Sequence, residues 1–504
     1  MYQGCQSCIR TDGVLSKLFQ CETGVRQGDV LSPNLFNIYI NDLPDIFKDD
    51  TDSPKLGEHF VNCLMYADDL VLLSLSVAGL QGKLDKLNNY CQQWDLSINI
   101  KKTKVMLMSV KNVPQPNVKL NIGGTTIDWV NSYKYLGIEV HSNGDMLAAT
   151  KNLCVRGWKA AFKIKSTFKG LDVNPITRMK LFDVLVKPII CYGSEVWGSL
   201  NNLGTSKSMD QLWLRMSKLP VENFQVKFCK GVLNVHPKAC NAAVMGELGR
   251  FPMFLYIVKS MLRYYRHICD VKTERPLLYA ASGEDEILKG NKSWRGNLDK
   301  ILSIFGVKLS TNQNLESHLM STMKIKYMEY WKRSLGNKND NLGKLYLYRK
   351  IKSNFNVEPY LKQIKKRKIR RSMTALRISA HSLEIETGRY ASKKGDFVKR
   401  EERYCSLCME KDLKTPGDEI HAVLVCPSFH NERENVIGFI DNLYPNFKNL
   451  NDNDKLIFML TCENECLQKV SKFINLILSM NRPNKIIKNS ANVTRKRGRV
   501  KKAV

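Results

Sequence analysis

Two short apolar runs, Val61-Asn62-Cys63-Leu64-Met65 and Leu70-Val71-Leu72-Leu73-Ser74-Leu75, flank the four residues Tyr66-Ala67-Asp68-Asp69. Apolar segments of this length, broken by adjacent acids, predict a hairpin with buried strands and a charged tip. Farther on, Leu80, Leu84, Leu87, Cys91 and Trp94 recur at helical spacing. They predict an amphipathic helix over 79–95 whose stripe faces a core. Residues 97–108 alternate like a strand with cations near its start. A second hairpin is expected across Gly123-Gly124, and Tyr133 to Val140 reads as one more strand. Upstream, Ser32 reads as an N-cap and Pro33 as the first helical position. The helix that follows carries Leu35, Phe36, Ile38, Tyr39, Ile40 and Leu43 on its apolar face. Residues 141–260 read as helices, with Leu181, Leu185 and the Tyr192–Trp197 segment supplying apolar faces; residues 270–400 read as helical and basic.

At 504 residues the chain exceeds one hydrophobic core, so roughly two to four domains are expected. An apolar fraction of 43% with 25% charged residues describes a soluble globular protein. No apolar run approaches a membrane span, and the N-terminus lacks a secretory pattern, so a nuclear or cytoplasmic protein, not a secreted one, is expected. Lys and Arg number 78 against 48 Asp and Glu, a net charge of +30. That excess suits a polyanion, and nucleic acid is the commonest one. Fifteen cysteines, an odd number without scaffold density, point to reduced thiols. Cys5 and Cys8 have the spacing of a metal or redox pair but no second pair nearby, and read as structural.

Candidate chemistry falls in three places. Asp68 and Asp69 on an apolar support repel each other, and a divalent cation such as Mg²⁺ relieves this. The loop Gly24-Val25-Arg26-Gln27-Gly28-Asp29 carries two glycines that let backbone approach a ligand, with Arg26 and Gln27 as donors between them. It feeds a helix N-terminus, a setting that suits phosphate. Third, Cys405, Cys408, His421 and Cys426 form C-x₂-C-x₁₂-H-x₄-C, the ligand set of a closed tetrahedral Zn²⁺ site. Cys462 and Cys466 lack such partners and are assigned to a helix. The basic run from Lys362 to Arg371 is expected to contact phosphate, and the tail from Arg495 to Lys502 to bind nucleic acid or act as a nuclear signal.

Taken in series, these pieces resemble a family. Residues 8 to about 140 are similar to the reverse transcriptase domain of non-LTR retrotransposons of the jockey/CR1 kind. The matching residues are Gly24 to Asp29 with Leu31-Ser32-Pro33 and Leu35-Phe36-Asn37, then Tyr66-Ala67-Asp68-Asp69, Asn99, Lys102-Thr103-Lys104 and Tyr135-Leu136-Gly137. The resemblance implies an RNA-directed DNA polymerase that uses an RNA template, a DNA primer or target and deoxynucleoside triphosphates. Asp68 would be a Mg²⁺ ligand in two-metal nucleotidyl transfer, supported by Asp69, with Lys102 near the leaving pyrophosphate. Arg26, Gln27, Gly28 and Tyr66 would line the nucleotide and template site, and Tyr135, Leu136 and Gly137 would hold the primer end. The Cys405–Cys426 segment is similar to the zinc-binding segment near the C-terminus of such proteins.

The expected fold is α+β. It comprises a partial right-hand polymerase palm over 1–140, an antiparallel sheet with helices, followed by a helical thumb and post-thumb region over 141–260. A helical basic region over 261–400, a small zinc-binding segment over 401–435 and C-terminal helices with a basic tail over 436–504 complete it. The family carries another catalytic Asp on a strand several dozen residues before the Gly-Val-Arg-Gln-Gly loop, and only 23 residues precede Gly24. The chain therefore reads as a truncated polymerase expected to be inactive by itself; the alternative is a non-catalytic RNA- or DNA-binding relic.

Overall fold

A computed structural model describes the chain except residues 1–3, 22–23, 27, 57–58, 110–112, 201–205, 276–277, 279–292, 313, 337–342, 390–397 and 482–504. It divides into two compact units. The first comprises 1–149, 195–204 and 261–300; the second comprises 150–194, 205–260 and 301–504. Short antiparallel strand pairs and many helices make the fold α+β.

In the first unit, Cys63–Tyr66 pairs with Asp69–Leu72 and Ser132–Tyr135 with Ile138–His141, both antiparallel. A mixed three-stranded sheet joins Leu120–Ile122, Thr125–Trp129 and Lys104–Val105, the last pairing parallel. The helix Val77–Gln93 starts two residues ahead of the sequence expectation, because the Ser76 side chain accepts from the Gly79 N–H and caps it. Its stripe serves two cores. Leu87 and Cys91 pack with Ile40, Leu43 and Phe47, against which Met65, Leu70 and Leu72 of the acidic hairpin rest. Leu84 packs with Val105, Leu120, Ile122 and Ile127. Each such aliphatic side chain contributes about 1.5–3 kcal/mol on burial, so this helix fixes the hairpin from beneath.

Five local expectations change. The acidic hairpin's strands are half-exposed, with Leu64 and Tyr66 toward solvent, and Ser32–Tyr39 stops before Ile40 and Leu43 with Ile38 and Tyr39 exposed. Of the alternating stretch 97–108, only Lys104–Val105 joins a ladder; Lys102 and Thr103 instead donate backbone N–H groups to Asn99, closing a turn. The stretch 133–140 is two strands, reversed at Leu136 (φ +45°) and Gly137 (φ +83°), the paired positive φ values of a tight hairpin. Ser32 is the first helical residue of Ser32–Tyr39 and not its cap: its hydroxyl donates to the Arg26 carbonyl at 2.6 Å, while Asp29 accepts the Leu31 N–H at 2.9 Å.

The second unit is helical. Pro220–Leu233 ends at Asn234 in the left-handed region, φ +56°. Around Trp213 gather Tyr327 (5.4 Å between centroids), Phe305 (5.7 Å) and Phe254 (6.2 Å). The helix Arg367–Arg377 packs on Asn464–Met480. At its end the fully buried Arg377 reaches Glu247 at 3.1 and 3.2 Å and Glu358 at 2.5 Å, and Tyr360 donates to Glu247. A buried charge is tolerable when paired and hydrogen-bonded in this way, and the network ties Asn241–Glu247 to Arg367–Arg377.

Candidate active site and metal centre

The acidic hairpin is built with no spare residues. Tyr66 pairs with Asp69, leaving Ala67 and Asp68 as the two-residue turn, and Ala67 takes φ +52° to make it. Strand alternation then turns Leu64 and Tyr66 outward, and both carboxylates at the tip are exposed. Tyr135 lies close enough to feel Asp69. Burial first, and then the charge of Asp69, raise its phenol above the ordinary value. The structure therefore brings Asp69 and the Tyr135-Leu136-Gly137 hairpin into one neighbourhood. Lys102 sits at the adjoining turn, and its carbonyl accepts from the Tyr133 hydroxyl at 3.2 Å.

The glycine loop is exposed at Arg26 and Gly28, and Gly24 (φ +83°) and Gly28 (φ +85°) adopt backbone that other residues rarely take. Gln27 lies outside the described residues, as does the tail from Arg495 to Lys502. Among the described residues, no group of three or more potential metal-ligating side chains includes Asp68 or Asp69.

Lys83 was not legible as part of this site. Its ammonium is fully buried, donating to the Asp52 carbonyl (3.2 Å), Asn62 Oδ1 (2.9 Å), the Ser53 hydroxyl and the Leu73 carbonyl, with Asp50 at 4.0 Å. Burial lowers its pKa, and Asp50 and Asp52 act in the opposite sense. Asn62 and Leu73 bracket the acidic hairpin and bond to each other through the Leu73 N–H at 2.8 Å. Lys83 thus clamps the hairpin's base to helix Val77–Gln93. A signal existed: Lys83 occupies an i+3 position from Leu80 and i−4 from Leu87, inside the apolar stripe.

The metal-ligand set converges as its spacing implies. Cys405, Cys408, His421 and Cys426 are all buried, with one ligand atom of each within 4.8 Å of the others. Cys408 Sγ lies 3.3 Å from His421 Nε2 and 3.8 Å from Cys426 Sγ. A tetrahedral ion with Zn–S bonds near 2.3 Å places two sulfurs about 3.8 Å apart, so the donor set fits a metal of that kind. His421 and Cys426 are brought together by a single wide helical turn, His421–Val425, closed by the Cys426 N–H to the His421 carbonyl at 2.7 Å. Asp418 accepts the His421 N–H at 2.8 Å and the buried Arg433 donates to the Cys426 carbonyl, holding the turn. Burial pushes the Cys405 thiol up to about 12 and the His421 imidazole down.

An acidic two-residue turn on a half-exposed hairpin, near a Tyr-Leu-Gly hairpin and downstream of a Gly-Val-Arg-Gln-Gly loop, is the arrangement that the sequence resemblance implies for a polymerase palm. Residues 2–140 match the family model described as reverse transcriptase (RNA-dependent DNA polymerase), and the chain carries a reverse transcriptase domain of the non-LTR retrotransposon type. Its relatives place it more closely. It is 27% identical over 204 residues to the RNA-directed DNA polymerase from mobile element jockey of Drosophila melanogaster, covering 38% of this chain and 21% of the relative. It is 30% identical over 152 residues to a Pol polyprotein from a type-2 retrotransposable element of the same species, covering 28% and 14%. A putative uncharacterized transposon-derived protein of Caenorhabditis elegans is 29% identical over 141 residues, covering 28% and 50%. The chain thus spans about one fifth of the jockey relative.

Proposed function

We propose that residues 1–140 form the palm portion of an RNA-directed DNA polymerase, followed by a helical thumb over 141–260. The exposed Asp68-Asp69 turn, clamped from below by Lys83 and flanked by Tyr135, is the observation that carries this reading. Asp68 would hold Mg²⁺ and Asp69 support it; such ions, when bound, activate a primer hydroxyl and offset triphosphate charge. The chain's own residues then have positioning roles. Arg26 and Gly28, with Gln27 and Tyr66, would face the incoming nucleotide and template. Lys102 would meet the pyrophosphate, and Tyr135, Leu136 and Gly137 the primer end. The four-ligand site would hold Zn²⁺ structurally, since four protein ligands leave no open position for substrate.

A second reading, a nucleic-acid-binding protein without catalysis, is favoured by one observation: among the described residues no third metal-ligating group joins Asp68 and Asp69. One experiment separates the two readings. Residues 2–140 replace the matching stretch of the jockey polymerase, and primer extension on RNA is measured with and without Asp68→Asn. The polymerase reading expects extension that falls at least about a hundredfold in the variant, a loss of ~3 kcal/mol in transition-state stabilisation. Extension unaffected by Asp68→Asn would contradict it.

A further inference from the structure

The basic run Lys362–Arg371 does more than form a charged helix face. Between Glu358 and Glu384 the sequence holds no acid. The structure sorts the cations there into two kinds. Arg370 is buried and structural, donating to Asp172 at 2.8 Å and to the Ile364 and Lys365 carbonyls. Lys365, Lys366, Lys368 and Arg371 are exposed, and their side chains reach no carboxylate among the described residues. Asp172, the nearby acid, is already engaged by Arg370 and by the Arg367 N–H.

Two clefts lie on either side of the helix Arg367–Arg377. One, of about 520 Å³, is lined by Asp172, Asn174, Lys362, Lys365, Lys366 and Arg370. The other, of about 900 Å³, is walled by the 234–239 loop, the 379–387 segment and the helix side bearing Lys368, Arg371, Ser372 and Ala375. Those four positions share one face by their i, i+3, i+4 and i+7 spacing. At roughly 100° per residue, Lys366 and Arg370 fall on one flank and Lys368 on the opposite one. Arg367 and Arg371 stand between them, making a continuous cationic arc from cleft to cleft. Crowding is felt inside: burial first, then the like charges of Arg367 and Arg370, lower the pKa of Arg178.

The larger cleft is a built cavity and not only a charged wall. Ala375, Ala380, Val235 and Leu478 give it an apolar floor, while Lys238 lines its other side and Lys344 there is paired with Glu386 at 3.1 Å. The Ser379 hydroxyl, on a residue 1% exposed, lines it and meets no hydrogen-bond partner among the described residues. A buried hydroxyl left without a partner costs about 1–3 kcal/mol, and a polar ligand group would recover this. The chemistry called for is periodic phosphates about one nucleotide apart, with a flat apolar group between them.

We propose that these two clefts form a binding site for single-stranded nucleic acid, the strand crossing the Arg367–Arg377 helix from one cleft to the other with a nucleotide seated over the apolar floor. Phosphates meet Lys365, Lys366, Lys368 and Arg371, and the Ser379 hydroxyl takes a polar edge of the seated nucleotide. The site lies outside residues 2–140 and does not depend on the polymerase reading.

The test uses the full chain and a twelve-nucleotide single strand, as RNA and as DNA of the same sequence, in fluorescence anisotropy across a salt series. One variant carries Lys365→Gln, Lys366→Gln, Lys368→Gln and Arg371→Gln. A control loses four positive charges at Lys308, Lys326, Lys332 and Lys448, which line neither cleft. Affinity is expected to fall more than tenfold in the first variant and less than threefold in the control. The log–log salt slope should drop by about 3, since each single-strand phosphate contact contributes roughly 0.7. Loss with RNA alone assigns the site to RNA, with DNA alone to DNA, and with both to the shared backbone. Equal losses in variant and control, or none in either, would overturn the proposal. Should the fourfold variant misfold by circular dichroism, the pairs Lys365→Gln/Lys366→Gln and Lys368→Gln/Arg371→Gln decide it, each expected to lose at least threefold.

Discussion

Asp68 and Asp69 were legible because everything that makes them a tip is local: two apolar runs, a two-residue turn and strand alternation. Lys83 was not, since its partners Asp50, Asp52, Ser53, Asn62 and Leu73 come from other elements, and only the folded chain gathers them. Its apolar-stripe position was a warning that a buried amine was present, but not of what it would hold. Removing it takes the ammonium donor from the Asn62 amide oxygen and the Leu73 carbonyl, leaving the single Ser53 hydroxyl hydrogen to serve both. Lys83→Met is therefore expected to destabilise the first unit by about 1–3 kcal/mol, despite similar side-chain length. Urea denaturation checks this; a loss below about 1 kcal/mol would mean the ammonium is dispensable. Ser32 teaches a similar lesson. A hydroxyl before proline has the chemistry of a cap, yet here it donates back to Arg26 and Asp29 takes the Leu31 N–H instead.

At the scale of elements, helices were read better than strands. The Leu80–Trp94 stripe fixed Val77–Gln93 to within two residues, because one amphipathic face is a strong signal. The alternation over 97–108 misled, since an Asn99 turn captured the backbone donors a strand would have used. The Cys and His spacing was legible in full, but the wide turn that aligns His421 with Cys426 was not. If the four ligands act together, Cys408→Ser should lower the zinc content of the purified protein by about one equivalent and loosen residues 400–435 to hydrogen exchange. Equal zinc in both proteins would show the cluster does not hold the ion.

A second element-scale expectation concerns Glu222 on Pro220–Leu233. Burial pushes its carboxyl up to about 7, although the Phe254 N–H donates to it at 2.7 Å. The folded state keeps this proton over a range where the unfolded chain, with its ordinary value of 4.5, has released it. Its contribution is complete below that ordinary value and is lost as pH rises through about 7, an effect of about 3 kcal/mol. Glu222→Gln keeps the carbonyl acceptor and removes the proton. Denaturation at pH 4.5 and pH 8 should show wild type losing stability relative to Glu222→Gln, and parallel curves would contradict the assignment.

Over the whole molecule, the charge of +30 suggests a polyanion partner class, but not which cations are exposed to meet it. Only the fold separates Arg370 and Arg377, consumed in buried pairs, from Lys365, Lys366, Lys368 and Arg371 at the surface. The same distinction governs catalysis. Asp68 and Asp69 are exposed at the hairpin tip, where Asp68 would hold one of the two ions of in-line transfer. The most direct measurement is primer extension on a primed RNA template by the 504-residue chain, with Mg²⁺ or Mn²⁺, beside its Asp68→Asn variant. The account expects both proteins to bind the template, and extension to fall at least about a hundredfold in Asp68→Asn. Extension by the wild-type chain that Asp68→Asn leaves undiminished would contradict it.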